Sequence, residues 1–243
     1  MTNRKKSHRK IGRSAPGIVL SLFLSALLAY LLGWSPLFSI KSIEISAAGY
    51  EKIITALVVP NQVHVGLPLA RVSLGRISRD LLHQSWVREI TIKRHWLARD
   101  LTIAVIPRVP IAQFREQDGS TKYFDKTGVS FSLPSKTKVP SELPTVTFNS
   151  STQIIRTTAA QFLASTPPML IVGMTALRVD SRGKITLTTR VRSHPSLIIT
   201  WGSGEDSGLK AQVIERLLAL PENKNILRID VSDPASPIVA PVN

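Results

Sequence analysis

From Gly17 to Trp34 the chain reads GIVLSLFLSALLAYLLGW, a run without a single charge. As an α-helix this run measures about 27 Å at ~1.5 Å per residue, close to the ~30 Å hydrocarbon thickness of a bilayer. The pattern predicts one transmembrane helix over residues 17–36, with Tyr30 and Trp34 at the far interface and Pro36 closing it. Arg4, Lys5, Lys6, Arg9, Lys10 and Arg13 precede the run, and no acid appears before Glu44. The positive-inside bias then assigns residues 1–16 to a cytoplasmic basic tail and everything from Leu37 onward to the opposite side. Two other readings compete. A cleaved signal peptide shares the charged start and apolar core, but the core is long and no small-x-small cleavage triplet follows it. A buried helix of a soluble domain would suit Ser21 and Ser25, yet gives the basic flank no purpose.

Beyond the run the periodicity changes. SIKSIEISAAG (39–49) alternates Ile43 and Ile45 with polar neighbours and ends in glycine, the pattern of a half-buried strand and turn. YEKIITALVV is a short, ambiguous helical stretch. SLGRISRDLLHQ places Leu74, Ile77, Leu81 and Leu82 on one helical face, with Arg76, Arg79, Asp80 and Gln84 mostly off it. Two alternating segments follow, Glu89–Arg94 and Leu101–Ile106, joined by HWLARD as a hairpin connection. Residues 37–107 therefore read strand, helix, helix, strand, strand.

After Pro110 short strands alternate with turn signals: IAQFR, KYFD, VSFSL and TVTF, separated by EQDGS, DKTG and the proline-spaced loop PSKTKVPSELP. A helix is expected at 153–165 with Ile155, Ala159, Phe162 and Leu163 on one side. Leu177 with Val179, Ile185 with Leu187, and SLIIT then form an antiparallel meander that turns at Ser181-Arg182-Gly183. A final helix, 207–220, carries Leu209, Val213, Ile214, Leu217 and Leu218 on its face, with Ser207 as cap and Pro221 as stop, and ILRIDV is the last strand. The fold class is α+β: a single N-terminal transmembrane helix, a β-α-α-β-β domain over 37–107, and a mostly antiparallel β domain with helices over 108–243.

These segments, in this order, carry a resemblance. FSIKSIEISAAGY, GLPLARVSLGRISRDLLHQSWVREITIKRHWLARDLTIAVIPRVPIAQF and KYFDKTGVSF resemble the FtsQ/DivIB cell-division family, in which a POTRA domain follows the membrane helix. Trp86 and Val87, then Arg94, Trp96, Leu101 and Ile103, then Arg108, Pro110 and Ala112 fall in that family's order. Lys210 and Ile229-Asp230-Val231 match its late helix and final strand. Ser85 and Ala98 stand where proline is common, and Pro107 where glutamate is common. Trp86 and Trp96 are expected to serve core and hairpin packing.

Charge and composition narrow the chemistry. The chain carries +15, and from residue 41 onward 25 basic against 16 acidic residues leave +9. An anionic partner surface is thus in question, although nucleic acid is demoted if the folded part is extracytoplasmic. The absence of cysteine removes disulfides, thiolate metal sites and a cysteine nucleophile. His8, His64, His83, His95 and His194 show no metal-ligand spacing, so no metal and no cofactor are expected. GEDSGLK (204–210) contains Asp-Ser-Gly, but Leu209 directly follows Gly208 where a protease would need a second glycine, and a helix start is the simpler reading. SRGK at 181–184 is too short for a phosphate loop and reads as a hairpin turn. Scattered carboxylates give no acid–base pair, and the chain reads as a non-enzyme without a small-molecule substrate.

The resemblance implies a single-pass divisome scaffold of the inner membrane, located at the division septum, that binds FtsL and FtsB homologues and helps regulate septal peptidoglycan synthesis. It implies partner binding by β-augmentation at the last strand and its continuation, through Ile229, Asp230, Val231, Ser232, Ile238 and Val239. Pro234 and Pro237 remove two backbone donors, so any ladder there is short or interrupted, or the prolines simply block an exposed edge. The alternative is a membrane-anchored wall-polymer binder or cell-wall enzyme, for which the +9 exterior is the support.

Overall fold

The computed structural model describes residues 15–59, 63–134, 137, 143–191 and 194–241. The chain divides into two compact units, Met1–Ile106 and Pro107–Asn243. The expected basic tail through position 14, and most of the proline-spaced loop at 134–144, lie outside the described residues.

In the first unit, helix α1 (Ala15–Trp34) ends where Ser35 accepts a hydrogen bond from the Leu37 N–H at 3.2 Å, capping a single 3-10 turn, Pro36–Phe38. Among the described residues no helix is long and apolar enough to cross a membrane, which overturns the transmembrane helix expected over 17–36 and the single-pass anchoring built on it. The helix stops short of Pro36. Apolar side chains of α1, Ile18, Leu20, Phe23 and Leu28 among them, are exposed.

The remainder of the unit runs β1 (Ser42–Ser46), α2 (Glu51–Val58), α3 (Leu74–Leu82), β2 (Val87–His95) and β3 (Asp100–Pro107). The sheet order is β1-β3-β2, with β1 parallel to β3 and Ile43 and Ile45 opposite Leu101 and Ile103. A parallel neighbour cannot be reached by a tight turn, so the chain between β1 and β3 passes through both helices and the β2–β3 hairpin before β3 enters the middle of the sheet. Helix α2 starts sharply because Ala48 and Gly49 both take positive φ and the Glu51 carboxylate accepts the N–H groups of Ala47 and Gly49. Those bonds, the one from Gly49 foremost, hold the Glu51 carboxyl below the usual range. Ile54, Val58, Ile77 and Leu81 of the helices and Leu101, Ile103 and Val105 of β3 are buried, and Trp86 stacks on Tyr50 at 4.7 Å. One expectation for α3 fails: Leu82 is 53% exposed, so its buried face is Ile77 and Leu81 with Leu74 at the margin.

The second unit opens with a small antiparallel sheet, β4 (Ala112–Arg115), β5 (Thr121–Phe124) and β6 (Ser130–Phe131), then adds β7 (Val146–Phe148), α4 (Gln153–Ser165), α5 (Pro168–Val172), β8 (Met174–Val179), β9 (Ile185–Val191), β10 (His194–Gly202), α6 (Ser207–Ala219), β11 (Ile226–Asp230) and β12 (Ile238–Pro241). The larger sheet has the order β12-β11-β10-β9-β8-β7. Its centre is the expected antiparallel meander, but β7–β8 and β10–β11 are parallel pairs, each bridged by helix. One face is apolar and buried: Leu177, Val179, Ile185, Leu187, Ile199 and Trp201 pack beneath α4 and α6, with Phe162 of α4 edge-on to Trp201 at 5.1 Å. Pairing register puts Arg178, Thr186, Thr200, Asp230 and Ile238 in one row across the opposite face. The face of α6 is rotated from expectation: Lys210, Ile214 and Leu218 are buried, whereas Leu209 is exposed.

The β5–β6 turn ties the small sheet to α4. Asp125 accepts from the Thr127 hydroxyl at 2.6 Å, from the N–H groups of Thr127 and Val129, and from Arg108 at 2.7 Å. Gly128, at φ +75°, lets Thr157 approach so closely that a Cβ there would lie 2.5 Å from the Thr157 nitrogen. The buried Arg156 donates to the Gly128 carbonyl at 2.8 Å and to the Ser151 carbonyl. Burial alone would raise the Asp125 carboxyl, but the Thr127 hydroxyl, Arg108 and the two backbone donors outweigh it and hold the group below the usual aspartate range.

Two measurements follow from this packing. Leu81→Ala should cost about 2–5 kcal/mol, while Leu82→Ala and Arg79→Ala should each stay within about 0.5 kcal/mol; equal melting temperatures for Leu81→Ala and the parent chain would refute the buried face. Because the folded-state pKa of Asp125 is depressed, its stabilisation is complete above the ordinary aspartate range and disappears as pH falls through the lowered value. Asp125→Asn should cost on the order of 1–3 kcal/mol at neutral pH and flatten the acid limb of a melting-temperature profile. An unchanged acid limb would show that Asp125 carries none of that dependence.

Candidate partner-binding edge

The far end of the large sheet is built by α6. Asp206, at φ +52°, occupies the position before the helix without a side-chain capping bond, so Ser207 is not the cap expected of it; its hydroxyl instead donates to the Gly204 carbonyl at 2.8 Å. Lys210 is buried, its stem among the core residues and its Nζ donating to the Ser203 carbonyl at 3.0 Å. At the other end of the helix, the Asn223 amide donates to the Leu217 carbonyl, and His194 Nε2 lies 2.9 Å from the Asn223 carbonyl. That carbonyl can only accept, so the imidazole carries its proton on Nε2. These contacts deliver the chain into β11 beside β10, where Ile198, Ile199 and Thr200 pair with Arg228, Ile229 and Asp230.

After β11 the chain reverses. The Asp230 carboxylate accepts the Ser232 N–H at 2.9 Å and hydroxyl at 2.6 Å, Asp233 accepts the Ala235 N–H at 3.0 Å, and the Ser236 N–H closes on the Asp233 carbonyl at 3.2 Å. Pro234 sits second in that four-residue turn, where its fixed φ belongs. Gly202, at φ +75°, allows Ser232 to pass: a Cβ on it would lie 2.8 Å from the Ser232 Cβ. The returning strand β12 pairs antiparallel with β11, placing Val239 opposite Ile229 and Ile238 opposite Asp230.

The six residues expected at the partner site are thus divided by the hairpin. Ile229 and Val231 are fully buried, Asp230 and Ser232 are occupied with each other at the turn, and both sides of β11 are taken by its neighbours. Only Ile238, 67% exposed, and Val239, 36% exposed, lie on the outermost strand of the sheet. Ala240 and Pro241 complete that strand and were not anticipated. Nor was the exposed Leu227, which with His194, Ser196, Lys224 and Ile226 lines a cavity of about 440 Å³ at the start of β10 and β11. The stretch from Ile229 to Val239 is interrupted, as the two prolines lead one to expect: β11 ends at Asp230, Pro234 lies in the turn, and Pro237 precedes β12.

The motif residues behind the family resemblance have structural tasks. Trp86 and Val87 are buried, Arg94 donates to the Val72 carbonyl, Leu101 and Ile103 are core, Arg108 pairs with Asp125, and Ala112 is buried. Ser181-Arg182-Gly183-Lys184 is the β8–β9 turn, its N–H groups at Arg182 and Lys184 donated to Asp180. Among the described residues no three histidine or carboxylate groups converge where a metal ion could sit. No protein-family model matches the chain, and no curated protein matches it. What the arrangement offers chemically is the outer side of β12, the end strand of the sheet among the described residues, with an exposed isoleucine on one face and a half-covered valine on the other.

Alanine substitution separates the two strands of the hairpin. Ile229→Ala should lower stability by about 2–5 kcal/mol, whereas Ile238→Ala should stay within about 0.5 kcal/mol. Comparable losses in denaturant unfolding would mean that Ile238 is packed in the folded chain.

Proposed function

We propose that this chain is a cell-division scaffold of the FtsQ/DivIB type, acting at the division septum, and that it binds FtsL and FtsB homologues by adding a partner strand to β12. The observation that carries the reading is the sheet end: a hairpin that covers β11 and leaves β12 outermost with Ile238 and Val239 presented to solvent. β12 is a short open edge, four residues ending in Pro241, that carries two exposed apolar side chains. A partner strand would satisfy its backbone groups and cover both side chains, affinity coming from the ladder and selectivity from the alternating side chains. The β-α-α-β-β unit and the order of the quoted motifs also agree with a POTRA domain followed by a β domain.

The test is co-purification of the chain with the FtsL and FtsB homologues of its own genome. Ile238→Asp combined with Val239→Asp should lower recovery about tenfold or more, while Arg79→Ala on the exposed side of α3 should leave it unchanged. Undiminished recovery with the double variant would remove β12 as the interface. Failure of the parent chain to recover either partner would remove the scaffold reading itself.

A further inference from the structure

The β2–β3 hairpin tip and the segment following α1 are bonded to each other. Arg99 Nε donates to the Ser39 carbonyl at 3.2 Å and its Nη2 to the Pro36 carbonyl at 2.9 Å, while the Lys41 N–H returns to the Arg99 carbonyl at 2.7 Å. Trp96 meets Phe38 edge-on at 6.2 Å, and the Arg71 guanidinium lies 4.5 Å over the Trp34 ring. Ser39 also bridges to Pro68, beside the turn that carries Arg71. A connection that had only to reverse the chain would be made of glycine, asparagine or aspartate. This tip reads Trp96-Leu97-Ala98-Arg99, with Arg99 itself at φ +62°.

On this base sit large apolar side chains open to solvent: Leu97 is 97% exposed, Trp34 65% and Leu37 60%. Trp96 is partly exposed next to them. Basic residues lie on the same segments, Lys41 and Arg71 exposed and Arg99 half-buried, with Lys93 and His95 exposed along the strand that leads to the tip; Asp100, half-buried, follows Arg99 in the chain. Isolated leucines at the apex, tryptophans at their margin and a cationic collar match the layered chemistry of a bilayer surface, in which hydrocarbon, headgroup boundary and phosphate follow one another in depth.

We propose that this surface docks the first unit onto an anionic bilayer surface, Leu97 and Leu37 entering below the headgroups, Trp34 and Trp96 lying at their level, and Lys41 and Arg71 meeting lipid phosphates. The docking is peripheral, requires no helix to cross the bilayer, and is independent of the β12 reading. A protein groove would ask for apolar depth without the collar; the collar favours lipid because anionic headgroups attract each nearby cation.

The chain contains no cysteine, so Leu97→Cys accepts a single environment-sensitive fluorophore. Vesicle flotation of the full chain would not decide the matter, since the exposed apolar side chains of α1 could adsorb by themselves. With vesicles of phosphatidylcholine and phosphatidylglycerol, the label at position 97 should shift to the blue and be quenched by brominated acyl chains, whereas a label at Arg79→Cys on α3 should do neither. Lys41→Gln should weaken vesicle affinity about fivefold. A label at 97 that stays aqueous while the chain floats with the vesicles overturns the proposal. So does an equal response on vesicles of phosphatidylcholine alone, or a label at 79 that responds as strongly as the one at 97.

Discussion

The seating of α6 beneath the large sheet is the constraint on which the second unit depends. Strands β10 and β11 are parallel neighbours, and a parallel pair cannot be closed by a tight turn, so the connection must leave the sheet, cross its face and return. The crossover stays in place because Ile214 and Leu218 are buried with Trp201 and Ile229 in one core, and because Lys210 lays its stem into that core while its ammonium reaches the Ser203 carbonyl. Were α6 to lift, β11 would lose its register with β10, and β12, which is paired only through β11, would have no sheet to end.

That dependence explains how the same hairpin can serve stability and, in the function proposed, recognition. Ile229 and Val231 belong to the core and are unavailable to any partner, yet they fix the line along which β12 lies. The polar residues between the strands are spent on the reversal, Asp230 holding Ser232 and Asp233 holding the turn over Pro234. What remains for recognition is backbone and two apolar side chains, a surface with few polar specificity elements of its own. Selectivity would then rest on strand register and on the size of the residues facing Ile238 and Val239. The exposed basic and threonine positions on the same sheet face supply a solvated border rather than a binding cleft.

The first unit solves a similar problem differently. Its parallel pair, β1 with β3, buries Leu101, Ile103 and Val105 of β3 and half-buries Ile43 and Ile45 of β1, and the chain enters the sheet's centre only after making a hairpin. Arg99 turns that hairpin back on the end of α1 by donating to two carbonyls there, so the tip is held as a fixed projection. The exposed leucine and tryptophans of the patch are therefore presented by a stiff support, which lowers the ordering cost of any contact they make.

Element types were legible in the chain wherever side-chain period and local turn chemistry agreed. Ile43 with Ile45, Leu101 with Ile103, and Leu177 with Val179 alternate because each strand has one buried face, and α4 was readable to its ends from its apolar spacing. The turn at 181–184 was equally plain, since Asp180 and Gly183 supply its acceptor and its positive φ locally. Helix faces were less secure: Leu82 and Leu209 satisfy the spacing yet point to water, because only the neighbouring layer decides which edge of an apolar stripe is covered. The uncharged run at 17–34 illustrates the same limit, its hydrophobicity announcing a helix but not the span that was inferred from it. For the candidate site, the sequence determined that β11 exists and that prolines follow it; that β12 folds back to cover β11, and so moves the open edge from Ile229–Ser232 to Ile238–Pro241, was decided by tertiary pairing alone. Strand exposure is a property of what lies alongside, and no residue carries that information by itself.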